Sequence, residues 1–78
     1  MNALTNSYVL KLTLIGMGTI EKGLFSGKCY TVQGDKYAVL NDSNPKIYSS
    51  YERAFNAGNK MIGTISYVTH FEIECYPT

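Results

Sequence analysis

The sequence predicts an α+β fold: an antiparallel sheet of four to five strands with one short helix packed on one face. Three observations carry that prediction. Period-two alternation of apolar and polar residues dominates the chain. The tight-turn signal Gly34-Asp35 joins neighbouring extended segments, as in a hairpin. Only one capped helical segment is visible, too few for the crossovers of a parallel sheet. At 78 residues the chain makes one domain, residues 1–78.

The first strand is Ser7 to Ile15. Tyr8, Leu10, Leu12 and Leu14 point one way, and Ser7, Lys11 and Thr13 the other, so one face is apolar and inward. Val9 and Ile15 keep the second face from being fully solvated. Gly16 to Gly27 carries glycines at 16, 18, 23 and 27 and reads as a mobile loop. Lys28–Gln33 and Lys36–Asn41 then form the hairpin around Gly34-Asp35. That turn sets Val32 against Tyr37 and Tyr30 against Val39, with Thr31/Ala38 and Cys29/Leu40 on the other face. Both faces are apolar, and one helix covers only one of them.

Asn41-Asp42-Ser43-Asn44-Pro45 is turn chemistry, and Lys46-Ile47-Tyr48 reads as a short edge strand. Ser49-Ser50-Tyr51-Glu52 fits a capping box, with Ser49 as N-cap and Glu52 reaching back to it. The helix runs to Ala57, where Gly58-Asn59 stops it, and docks through Tyr51, Ala54 and Phe55. Lys60 to Tyr76 is extended. Met61, Ile65, Tyr67, Phe71, Ile73 and Cys75 mark one face; Thr64, Ser66, His70, Glu72 and Glu74 mark the other. At ~3.3 Å per residue such a strand would pass ~50 Å, so it must bend, bulge near Val68–Thr69, or project towards a partner.

The formal net charge is +1, and the basic residues at 11, 22, 28, 36, 46, 53 and 60 never adjoin. Nucleic-acid binders concentrate positive charge, so direct DNA or RNA binding is not expected. Cys29, Cys75 and His70 are too few for a zinc site. The N-terminal Met1-Asn2-Ala3-Leu4-Thr5 lacks a signal-peptide pattern, and no apolar run approaches a membrane span. The expected location is the cytoplasm.

Several tempting motifs fail on chemistry. Gly16-Met17-Gly18 follows a strand as in a dinucleotide fingerprint, but Glu21 stands where the third glycine belongs and would repel a phosphate. Gly27-Lys28 lacks the upstream glycine of a phosphate loop. Cys75 shares the presumed core face, opposite in parity to His70, and Cys29 reads as a small buried hydrophobe. Glu72 and Glu74 read as a charged face that discourages aggregation. No catalytic residue, cofactor or metal is expected, and the chain does not read as an enzyme.

Seven tyrosines, at 8, 30, 37, 48, 51, 67 and 76, are more than so small a domain can bury. Exposed tyrosine supplies rigid, amphipathic contact area, which interfaces favour. Tyr30, Val32, Tyr37 and Val39, on the hairpin face away from the helix, are the expected partner-binding residues. A homodimer through this face is the alternative.

In layout the chain resembles the small proteins that bacteriophages encode to inhibit host defence, of the anti-CRISPR, anti-restriction or antitoxin type. The resemblance rests on small size, a sheet with one helix, no catalytic set and an interaction-ready surface. No motif carries it. It implies a stoichiometric protein-binding inhibitor or regulator that blocks a host protein surface in the host cytoplasm. The net charge of +1 departs from the acidic inhibitors that mimic nucleic acid. Two other functions fit the sequence: a homo-oligomeric structural or assembly module, using the Tyr-rich face or the long final strand, and a small-molecule or nucleotide binder using the Gly-rich loop 16–27.

Overall fold

A computed structural model describes residues 6–16 and 18–77. Strands β1 (Asn6–Gly16), β2 (Thr19–Val32) and β3 (Asp35–Leu40) are followed by helix α1 (Tyr51–Thr64) and strand β4 (Val68–Pro77). They form a four-stranded antiparallel sheet in the order β3-β2-β1-β4. The fold is α+β, with the helix on one face of β1 and β4.

The alternation in β1 is borne out. Leu10 and Leu12 are fully buried and meet Phe25, Ala54, Met61, Ile65 and Val68 in the core. Burying each leucine stabilises the fold by about 1.5–3 kcal/mol. On the second face Val9 is also buried, whereas Ile15 is exposed.

Most of the expected loop 16–27 is strand: Thr19–Gly27 belongs to β2, while Met17 lies outside the described residues. β2 starts at Thr19, directly opposite Gly16, and runs unbroken through Gly23 and Gly27. Those glycines mark close approaches rather than flexibility. A Cβ on Gly23 would lie 3.1 Å from the Leu40 side chain. Gly27 has φ +89, where β2 bulges between Phe25 and Cys29 and an L side chain would be strained.

The hairpin forms, but its turn lies one residue earlier than expected, which shifts each cross-strand partner by two residues. Its turn residues are Gln33 (φ 51) and Gly34 (φ 87), two positive angles that define a type I′ turn. Tyr30 therefore faces Tyr37, Thr31 faces Lys36 and Val32 faces Asp35. Lys46–Tyr48 makes one bridge, Tyr48 to Tyr8, in place of an edge strand.

Helix α1 is twice as long as expected. Its N-cap is Ser50, whose hydroxyl accepts from the Arg53 N–H at 3.2 Å, so the capping box on Ser49 and Glu52 does not form. The helix continues through Gly58-Asn59 because Gly58 is a contact point. Ala54, Gly58, Met61 and Ile65 recur at helical spacing and are buried. A Cβ on Gly58 would fall 2.5 Å from the Phe71 ring, so only glycine lets the helix lie this close to β4. Lys60–Thr64 thus belongs to the helix, which shortens the final strand to ten residues. The bulge expected near Val68–Thr69 is present: Thr13 pairs with His70 and Leu14 with Val68, skipping Thr69.

Candidate functional site

The strand register decides which side chains face the helix side of the sheet. Leu14 pairs with Glu21 and Gly16 with Thr19, so Glu21 and Thr19 stand on the same inward face as the core leucines. Past the C-terminal end of α1 no helix covers that face. The α1–β4 junction and the β2–β3 hairpin close over it instead. Two backbone hydrogen bonds fix this closure: the Ser66 N–H donates to the Lys36 carbonyl at 2.8 Å, and the Ile15 N–H donates to the Tyr67 carbonyl at 3.0 Å.

The result is a groove of about 260 Å³ whose walls include Leu14, Glu21, Tyr30, Tyr37, Ser66 and Tyr67. Tyr30 and Tyr37 are cross-strand neighbours with ring centroids 5.4 Å apart and planes 27° apart. Tyr67 extends the row, 5.9 Å from Tyr37 at 32°. Its ring lies where a Gly16 side chain would be, since a Cβ there would overlap it. Tyr67 also holds φ at +68, in the left-handed region that a bulky aromatic rarely adopts. Partial burial, then the Asp35 carboxylate and the other two tyrosines, raise the Tyr37 hydroxyl above its ordinary pKa.

Of the four residues expected to bind a partner, Tyr30 and Tyr37 come together in this groove. Val32 and Val39 share their strand parity and are exposed, but lie outside the lining. α1 packs mainly on β1 and β4. Sequence reasoning missed Tyr67, placed on a core strand face, and Glu21, weighed only against phosphate.

The remaining chemistry-bearing residues are apart. Cys29 and Cys75 are both free and exposed, so neither is the buried thiol expected; Cys75 keeps the inward parity of Ile73 but stands at the open outer edge of the sheet. The His70 ring hydrogen-bonds the neighbouring Thr69 hydroxyl at 3.0 Å. Among the described residues no cluster of three or more His, Cys, Asp or Glu side chains could hold a metal ion. Among them, too, no helix is long and apolar enough to cross a membrane.

A second exposed apolar strip runs along α1. Tyr51 stacks on Phe55 at 6.4 Å, Phe55 meets Phe71 of β4, and Ile62 continues the line.

No protein-family model, curated protein or solved structure matches the chain.

Proposed function

We propose that the protein is a stoichiometric inhibitor or regulator that binds another protein, of the kind mobile elements encode against their hosts, with the tyrosine groove at the centre of its binding surface. The observation that carries this reading is Tyr67. Its left-handed backbone costs about 1–2 kcal/mol, yet the residue so positioned is left 45% exposed. Strain spent on a residue that the fold does not bury fits one shaped for a contact outside the chain. Tyr30, 53% exposed, and Tyr37 stand beside it, and such clusters of rigid rings are typical centres of binding energy. At about 260 Å³ the groove suits one or two protruding side chains better than a whole cofactor, whose sites run about 300–1,000 Å³. The protein would then act by occupying its partner's surface in the host cytoplasm.

Affinity capture with the tagged protein, followed by reconstitution of the purified pair, tests the proposal. A one-to-one complex lost in the folded Tyr30→Ala/Tyr37→Ala variant supports it; a complex that tolerates this variant refutes the groove as its centre. The Tyr51–Phe55–Ile62 strip favours a second reading, self-assembly. A dimeric mass in light scattering, made monomeric by Tyr51→Ala/Phe55→Ala, would select it.

A further inference from the structure

We infer that the groove receives a planar organic cation, the guanidinium group of an arginine side chain on the partner; this rests on the groove being the partner-binding centre. The argument starts from Glu21. Opposite Leu14, it occupies the apolar, inward parity of β2, where Phe25 is core and Gly23 is buried. Glu21 is itself exposed, so its carboxylate stands at the groove wall open to a charged group from outside the chain. No cation forms an ion pair with it among the described residues. Among the described residues the one ion pair is Lys11–Glu74 at 4.0 Å, with both members on the opposite, outward face of the sheet.

Among the residues that line the groove the one charged side chain is Glu21. Asp35 lies close enough to act on the Tyr37 hydroxyl. Lys36, the neighbouring cation in sequence, pairs with Thr31 and so projects from the opposite face of the hairpin. A phosphate or carboxylate ligand would meet repulsion here, and a cation would meet attraction from carboxylate and ring faces together.

Ring geometry selects among cations. Tyr30, Tyr37 and Tyr67 form a row whose successive planes differ by 27° and 32°, giving a wall rather than a box. A wall suits a flat group that can lie against a ring while its N–H edge reaches a carboxylate. Guanidinium does both, whereas an ammonium is a compact, strongly hydrated charge without a stacking face.

The test titrates N-acetyl-arginine-methylamide into the protein and follows the tyrosine ring signals by NMR. The citrulline analogue, equal in shape and neutral, and the lysine analogue serve as comparisons. The expected result is saturable shifts at Tyr30, Tyr37 and Tyr67 with a dissociation constant in the millimolar range, as a single side chain allows. Citrulline should bind about tenfold more weakly, and Glu21→Gln should weaken arginine about threefold to tenfold without changing the melting temperature.

Equal binding of arginine and citrulline, insensitivity to Glu21→Gln, or no ring shifts at all would overturn the inference. So would a short oligothymidine that saturates the same rings, which would make them a base-stacking platform. If the reconstituted complex depends on Tyr30 and Tyr37 while arginine fails, the arginine assignment falls and the protein-binding reading stands.

Discussion

Gly58→Ala isolates the contact that sets the distance between α1 and β4. Within a helix alanine is ordinarily favoured over glycine by about 1 kcal/mol. Gly63, in the last turn, has nothing within 4 Å of a built Cβ, so Gly63→Ala should stabilise by about 0.5–1 kcal/mol. At Gly58 the same methyl would lie 2.5, 2.6 and 2.7 Å from the Cδ2, Cε2 and Cγ atoms of Phe71. That is about 1 Å inside ordinary carbon–carbon contact. Cγ is the base of the ring, so rotating the ring does not relieve the overlap, and Phe71 is held between Leu12 across the ladder and Phe55 above. Overpacking of this kind costs about 1–3 kcal/mol, which outweighs the helix-propensity gain. Gly58→Ala should therefore destabilise by about 1 kcal/mol, lowering the melting temperature by about 4–8 °C in a domain this size. Urea and thermal denaturation followed by circular dichroism measure it. A helix-terminating glycine would show a similar loss, so the decisive measurement repeats Gly58→Ala in a Phe71→Leu background. With the ring gone the substitution should turn neutral or stabilising. An unchanged loss would show that Gly58 ends the helix, refuting the packing account.

Three further outcomes follow from the same contacts. Ser50→Ala removes the acceptor of the Arg53 N–H and should cost about 1 kcal/mol, whereas Ser49→Ala should stay within about 0.5 kcal/mol by denaturant titration. Gln33→Asn places a residue suited to positive φ at the first position of the I′ turn and should raise stability by about 0.5–1 kcal/mol in the same assay. Tyr48 has its pKa raised above the ordinary 10.0, by burial first and then by Cys29. The unfolded chain therefore releases this proton first. Stability is held below pH 10 and declines as pH rises past it, and a titration at 295 nm should find Tyr48 ionising later than a free tyrosine.

What was legible in the sequence was what depends on near neighbours. The alternation of Tyr8, Leu10, Leu12 and Leu14 identified β1 because a half-buried strand repeats every two residues. The hairpin was legible for the same reason, but its register was not. Gly34-Asp35 offered a type II′ turn, while the chain turns at Gln33-Gly34, with a glutamine in a conformation its side chain does not advertise. Gly23, Gly27 and Gly58 misled because a glycine is silent about its reason. Each was read as a loop or a stop, whereas Leu40, Lys46 and Phe71 press against them from distant parts of the chain. The groove divides likewise. Tyr30 and Tyr37 could be singled out as hairpin residues on a common face. Tyr67 could not, because its position depends on a positive φ and on the missing side chain of Gly16. Glu21 stayed hidden behind the glycine-rich reading of 16–27, since its inward orientation appears only once β2 is paired with β1.

The claim that the tyrosine groove is the binding centre is tested most directly by the affinity of the reconstituted complex, measured calorimetrically for three folded proteins. These are the native chain, Tyr30→Ala/Tyr37→Ala in the groove, and Tyr51→Ala/Phe55→Ala on the helix strip. The account predicts that the groove variant loses about a hundredfold or more in affinity, as two central aromatic contacts would supply, while the helix variant binds like the native chain. Undiminished binding by the groove variant, or a loss confined to the helix variant, would contradict it.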